Sequence, residues 1–566
     1  MTKNRFIPLL LGITVLLGTL PLRGATTLTL SFYNSSGTLL TFSQVQSTQK
    51  GSGVGAYEAE AFVDPVSLKL MTPTPMTDAG GLTLPLPARQ AVAFAINWPT
   101  ATQGYGLVIL DNGGGGFSAT TNINFTYQAA KDAKRRLDAA LTARPDYVKS
   151  AGFSTAYNAA SNSLYTADAS ATESVKGAQG QIALDQLVVA FDLLLKEYGP
   201  TYAKLHPNPV TPWLGFTIED LTNYQSDLDK IAAMAGPYAW VRFVFQPGET
   251  PAMCTAAVNY AKGKGIKVLG LPVDSSADTS YTRTTYFQRY TNFVTALTNV
   301  DVWEVGNEVN GGWSSTDIAG RVADVAAYCK AQGKKTYLTL FWQLNTADST
   351  FSMFNWVATN LPVSVRSNLD YVGISQYQEQ APMGAVFDQV MQRLQAEFPA
   401  QKIGLGELGY WIAGQRYWWA YSTDVTTAKH AILEQYYNAS LGYAGSYGGC
   451  FWWNCSSGLS TYDLDNTMTN SITNLKNYLI SNSTNSSGGL TLTNFPAGLT
   501  LTQSNGHFKV SWSNSPLNWL LDTTPALTDT PQFWTQVPAS EIQTNATVLH
   551  YLSQPTGDAY YRFRLP

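Results

Sequence analysis

The chain is poor in charge, in histidine and in cysteine, and each shortage closes off a class of explanation. Charged residues make up only 13% of the 566, with a formal net charge of −4 and no long basic run. Phosphate binding needs a concentrated Lys/Arg face, so nucleic acid is disfavoured as a partner. The same low charge, beside 45% apolar residues, argues against disorder. Four cysteines (Cys254, Cys329, Cys450 and Cys455) are too few to staple so long a chain as a disulfide scaffold. Cys450 and Cys455 bracket an apparent strand, and five extended residues span roughly 16 Å. That pair joins only if the chain turns sharply afterwards, so free thiols are expected.

Long apolar runs are scarce too. The one that stands out, Phe6 to Leu22, follows the positive Lys3 and Arg5 and precedes the small residues Gly24 and Ala25. This is the pattern of a cleaved export signal, which predicts a secreted, periplasmic or cell-surface protein. Pro8 and Pro21, and the lack of a second such run, disfavour a membrane anchor, and no cysteine is present there for lipidation. What the chain does have is aromatic surface: 15 Trp, 31 Tyr and 24 Phe, flat rings available for stacking.

Texture changes along the chain define a multidomain organisation. After the signal (1–25), residues 26–126 are rich in Thr, Ser and Gly with short alternating runs, which predicts an N-terminal β domain. Residues 127–208 turn helical. Leu184, Leu187, Val188, Phe191, Leu194 and Leu195 keep the spacing of an amphipathic helix, and the stretch reads as a helical bridge. Residues 209–480 alternate short apolar strands with helical segments. The expected strands are Trp213–Ile218, Ala239–Phe245, Ile266–Pro272, Val302–Val305, Lys335–Phe341, Tyr371–Ser375, Ile403–Gly406 and Gly449–Trp453. Eight strands separated by helices predict a central (β/α)₈ TIM barrel. The rival doubly wound sheet lacks a Gly-rich phosphate fingerprint after its first strand. A polar linker (481–489) leads to 490–566, expected to be a small C-terminal β-sandwich.

Barrels of this kind carry their chemistry at the carboxyl ends of the strands. Strand four ends in the run Trp303 to Asn310, with Glu308 after Asn307. Strand seven ends in Gly404 to Trp411, with Glu407 after Gly406. Strands three steps apart bring two carboxylates to face each other across the mouth, the arrangement that glycoside hydrolysis needs. None of His206, His430, His507 and His550 falls at a strand end. No metal ligand set and no Ser-His-Asp triad is therefore expected there, and no cofactor.

The Asn307-Glu308 pair, with the lone Glu407 after an apolar strand seven, resembles clan A glycoside hydrolases over the barrel half of the chain. The resemblance implies a retaining mechanism with Glu308 as acid/base and Glu407 as nucleophile. It implies that Asn307 binds the sugar 2-hydroxyl and that Arg242 keeps the nucleophile ionised. It further implies that Tyr377 hydrogen-bonds the nucleophile and that Trp453 is the platform beneath the sugar. Trp411 in the loop after strand seven and Trp342 after strand five are further expected substrate contacts. The run Gly306 to Gly311 is similar to the strand-four signature of family 53 endo-β-1,4-galactanases. The stretches before the barrel resemble those attached to family 10-like, xylanase-related barrels, although the sequence around both glutamates differs from the xylanase pattern. The expected activity is endo-acting cleavage of a β-linked polysaccharide or oligosaccharide, the sugar left open. Two alternatives remain beside it: a non-catalytic glycan-binding protein on a barrel, and a transglycosylase using the same residues. Carbohydrate binding by the flanking β domains is a further expectation.

Overall fold

The computed structural model describes residues 26–480 apart from 51–59, 73–75, 79–81, 87–89, 101–103, 207–211, 345–347, 379–380, 382, 411–424, 444 and 461, and beyond 480 chiefly the backbone of seven strands. The chain divides into two compact units, Met1–Ser481 and Asn482–Pro566.

The first unit opens with two four-stranded sheets. One has the order β4-β5-β1-β8, from β1 (Thr27–Ser31), β4 (Thr77–Asp78), β5 (Leu82–Pro85) and β8 (Thr121–Asn124). The other has the order β3-β2-β6-β7, from β2 (Glu60–Val63), β3 (Leu70–Thr72), β6 (Ala93–Thr100) and β7 (Gly104–Leu110). Three helices follow: Phe125–Thr142, Ala151–Ala169 and Glu173–Leu205. Sheets and helices share one core rather than standing apart. Phe32 of the first sheet region stacks on Phe125 at 4.3 Å between ring centroids, and the Trp98 indole N–H donates to Gln181 at 2.9 Å.

The expectation of a single long apolar segment needs correcting at the third of these helices. Glu173–Leu205 is 33 residues long and apolar enough to cross a membrane by length and composition. Its apolar character has a packing cause. The helix touches both preceding helices and the barrel helix Val425–Ala439, so residues round much of its circumference, from Leu184 to Leu195, are buried in protein.

The barrel is closed and parallel, made of β9 (Trp213–Ile218), β10 (Ala239–Val244), β11 (Lys267–Leu271), β12 (Val302–Gly306), β13 (Lys335–Phe341), β14 (Tyr371–Tyr377), β15 (Lys402–Gly409) and β16 (Gly449–Trp452). Each strand is covered on both faces, which is why it reads as a nearly continuous apolar run. Alternation still sorts the side chains. On β10, Val241 and Phe243 join the layer under the helices, whereas Trp240 points into the barrel with Trp213, Leu269, Val302, Tyr337, Tyr447 and Phe451. These residues form an aromatic floor. Trp213 and Trp240 stack at 3.7 Å, and the Tyr337 and Tyr447 hydroxyls meet at 2.8 Å. Glycines make room for the rings: a Cβ on Gly373 would lie 1.8 Å from the Tyr337 oxygen, and one on Gly404 2.2 Å from the Tyr447 ring.

Two barrel strands break their register, and they are the two that lead to Glu308 and carry Glu407. On β12 the pairing slips between Glu304 and Gly306, and against β14 strand β15 places both Gly406 and Glu407 where one residue would do. Such a bulge reverses the side on which the following residues emerge.

In the second unit the strands form two sheets. One has the order β17-β18-β22-β21, from β17 (Thr500–Ser504), β18 (His507–Ser513), β21 (Ile542–Thr544) and β22 (Val548–Ser553). The other has the order β20-β19-β23, from β19 (Leu520–Thr524), β20 (Thr535–Gln536) and β23 (Tyr560–Arg564).

A buried ion pair ties the helical segment to the barrel. Arg144 reaches both oxygens of Asp388 at 2.6 and 2.7 Å, and both side chains are nearly excluded from water. Removing one partner leaves the other charge buried alone, so Arg144→Ala should destabilise the first unit by about 3–5 kcal/mol in denaturant titration. The double replacement Arg144→Met with Asp388→Leu should recover most of that loss. A double variant as unstable as the single one would mean that the charge pair is not the cause.

Candidate active site

Above the aromatic floor lies a charged layer. Arg242, on β10 two residues beyond Trp240, is 1% exposed. Its Nε and Nη2 donate to Glu304 on β12 at 2.7 and 3.1 Å, and its Nη1 donates to Glu407 at 2.5 Å. Thr339 of β13 also donates to Glu304, at 2.5 Å. Tyr377, the last residue of β14, donates its hydroxyl to the other oxygen of Glu407. Both Glu407 oxygens are thus held, one by a cation and one by a phenol.

Glu407 faces inward because of the bulge. On β15, Ile403 and Leu405 lie in the helix-facing layer, and strict alternation would send Glu407 the same way. The extra residue at Gly406 turns it toward Arg242 instead.

Glu308 follows β12 and has the positive φ of +48°, a conformation uncommon outside glycine. Its Oε2 accepts from Ser275 at 3.3 Å. Asn307 donates to Asp274 at 2.9 Å and, more weakly, to Ser275 at 3.4 Å. The Asn307 Oδ1 is buried without a partner, an acceptor open to a ligand hydroxyl.

Electrostatics separate the two glutamates. Burial pushes both carboxyls above their usual range. For Glu308 the next influences are the charges of Glu407 and Asp274, which push it further up. For Glu407 the next influence is Arg242, which pulls it down. A proton divided between the pair therefore rests on Glu308, and Glu407 carries the charge.

Trp453 follows β16 and is half-buried, with its ring centroid 6.0 Å from the Arg242 guanidinium. Its neighbour Trp452 is fully buried in the helix-facing layer. Trp342 lies in that buried layer too, with its backbone N–H donated to Ser375 at 3.0 Å. Trp411 lies outside the described residues. The structure thus brings Glu308, Asn307, Arg242, Glu407, Tyr377 and Trp453 to one end of the barrel.

Four further residues belong to the same end. Glu304 and Thr339 complete the Arg242 layer, and their inward position on β12 and β13 was open to counting by twos. Glu219 directly follows β9 and Asp274 lies three residues past β11, positions that the strand-end rule flags as soon as it is applied to every strand. They line a cavity of about 320 Å³ with Gln246 and Tyr281. Glu219 accepts from Asn454 at 2.5 Å. Burial, then the charges of Asp274 and Glu407, push its carboxyl up to about 7. Among the described residues no group of three or more His, Cys, Asp or Glu is arranged to hold a metal ion.

The shift of Glu219 has a consequence for stability. Its carboxyl is raised from 4.5 to about 7 by folding. The folded state is therefore favoured below pH 4.5, and that advantage fades as pH rises through 7. Glu219→Gln should gain Tm over the wild type between those values and hold a constant difference above them. A Tm difference that does not vary with pH would count against the shift.

No protein-family model matches the chain, and no curated protein matches it. Among solved structures it is similar to a family 128 (subgroup I) endo-β-1,3-glucanase from Amycolatopsis mediterranei crystallised with laminaritriose, at 13% identity and a TM-score of 0.31 over 47% of this chain and 100% of that one. An endo-1,4-β-mannanase from Eisenia fetida matches at 11% identity and a TM-score of 0.31, over 48% of this chain and 92% of its own. A family 10 xylanase from Thermobacillus composti matches at 9% identity and a TM-score of 0.31, over 46% and 96%. These neighbours are clan A glycoside hydrolases.

Proposed function

We propose that this chain is an exported, retaining glycoside hydrolase that cleaves β-linked glycan internally, with Glu308 as acid/base and Glu407 as nucleophile. The observation that supports this most is the unequal setting of two buried carboxyls at one barrel mouth. Glu407 is bound by Arg242 and Tyr377, whereas Glu308 meets serine hydroxyls and no cation. The charged carboxylate attacks the anomeric carbon as the protonated one gives its proton to the departing glycosidic oxygen. A covalent glycosyl-enzyme results, with Glu407 bonded through one oxygen. Glu308, now ionised, removes a proton from water, and that oxygen displaces Glu407 to return the original anomeric configuration.

Two features support a sugar as the occupant. The Asn307 Oδ1 can accept from a ring hydroxyl, and Trp453 offers a half-exposed indole beside Glu407's partner Arg242. Reading Tyr377 as the group that keeps Glu407 oriented follows from its hydrogen bond. On this reading the two C-terminal sheets pack as a small β-sandwich that attaches the enzyme to carbohydrate. A sugar acceptor replacing water in the second step would make the same residues a transglycosylase.

Reducing-sugar release from galactan, xylan, mannan and mixed-linkage glucan tests the proposal. One polymer should be cut, with early products of mixed length. Glu407→Gln should abolish release, and Glu308→Gln should lower it about 10²–10⁴-fold. The wild-type rate should be bell-shaped in pH, and the basic limb, which reports Glu308, should vanish in Glu308→Gln. With azide and an activated aryl glycoside, Glu308→Ala should give the glycosyl azide of retained configuration and Glu407→Ala that of inverted configuration. The reverse pattern would exchange the two roles. No release from any polymer, with polysaccharide still bound, would favour the non-catalytic reading.

A further inference from the structure

The loop beyond Glu308 carries a tryptophan with no part in the chemistry above. Trp313 is 45% exposed, the most open of the tryptophans whose side chains are described. A lone exposed aromatic is ordinary on a protein surface. Trp313 differs because it is held in place at the mouth. Its ring lies on the backbone of Gly311, where a Cβ would come within 2.2 Å of the indole, so a larger residue there would dislodge it. From the side it meets Phe341, the last residue of β13, at 5.1 Å and 79°.

The support beneath it is equally fixed. Asn310 accepts from the Phe341 N–H at 2.7 Å and donates to the Phe341 and Phe351 carbonyls at 2.9 and 3.1 Å. Gln343 donates to the Asn310 and Phe351 carbonyls at 3.0 and 2.9 Å. The turn itself closes on the acid/base residue: Gly311 N–H donates to the Glu308 carbonyl at 2.9 Å, and Ser314 N–H donates to the Gly311 carbonyl at 3.0 Å. An indole immobilised and left open loses little freedom when something stacks on it.

We infer that Trp313 is the platform of a leaving-group subsite, taking the pyranose ring of the saccharide released when the glycosidic bond is cleaved. This rests on the assignment of Glu308 as acid/base. The acid protonates the departing oxygen, so the segment directly beyond it borders the departing sugar rather than the sugar captured by Glu407. Pyranose rings present CH faces that pack on aromatic planes, and such a contact does not depend on which hydroxyls the sugar bears. The subsite also serves the reverse traffic, because an incoming acceptor sugar occupies the same place as a leaving one.

The test compares two substrates of the same sugar in the full-length protein: the polymer that wild type cleaves, and the matching glycosyl fluoride, whose leaving group has no ring. Trp313→Ala should lower kcat/KM on the polymer about tenfold or more relative to its effect on the fluoride, chiefly through KM. Trp313→Phe should recover a substantial part of the difference. Equal losses on both substrates, or no loss on either, would overturn the inference, since the first marks a structural effect on Glu308 and the second an idle side chain. Wild type inactive on every polymer and fluoride would instead remove the glycosidase reading, and the subsite with it.

Discussion

Arg242 governs this barrel. A guanidinium inside a closed strand cylinder, over a floor of tryptophan and tyrosine rings, has lost its water and must be repaid by anions. Glu304 supplies a fork-to-fork partner from β12, itself fixed by Thr339, and one guanidinium nitrogen is left for Glu407. The order of strength matters. Because Glu304 already meets Arg242 through two nitrogens, Glu407 receives a single contact and its second oxygen is engaged by Tyr377. A carboxylate held this way is aimed through both oxygens, one on a cation and one on a neutral phenol, instead of meeting Arg242 as a bidentate salt bridge.

The same layer accounts for Glu308. One cation is bonded to two carboxyls, Glu304 and Glu407, and its pull on Glu308 is smaller than the push of burial, Glu407 and Asp274. Glu308 sits within reach of the Glu407 and Asp274 charges and lacks a counter-ion of its own, and protonation is its way of staying buried. Glu308 and Glu407 are thus a single electrostatic arrangement rather than two independent residues. Moving Arg242 would shift the proton balance of both.

How far the sequence reveals this depends on which physical signal each part leaves. The barrel strands are buried on both faces and announce themselves as apolar runs, and all eight are found where those runs occur. Glu308 and Glu407 stand at strand ends and could be located by position alone. The bulge that aims Glu407 leaves no such trace. Counting by twos from Ile403 and Leu405 sends Glu407 toward the helices, and only the pairing with Ser375 of β14 reveals the extra residue. Glu219 and Asp274 stand just past the ends of β9 and β11, where the same positional rule applies, but no neighbouring motif marks them. Trp342 misleads for the opposite reason: an aromatic at a strand end can serve packing, and this one is in the buried layer. Before the barrel, the change from β to helical texture is visible, but the shared core around Phe32, Trp98 and Phe125 depends on contacts distant in sequence.

Stability and chemistry pull against each other across the mouth. Glu219, Asp274, Glu308 and Glu407 gather where Arg242 is the buried cation, and each of Glu219, Glu308 and Glu407 is pushed toward its neutral form chiefly by burial. Gathering carboxyls where they are stripped of water costs a fold stability that its surroundings must offset. The surroundings here are rigid by construction: a closed barrel without edges, an aromatic floor, and a β12 loop tied to β13 through Asn310 and Gln343. An oxocarbenium-like transition state brings positive charge to the anomeric carbon. On the proposed reading, that charge would form beside Glu407, held in place by Arg242 and Tyr377.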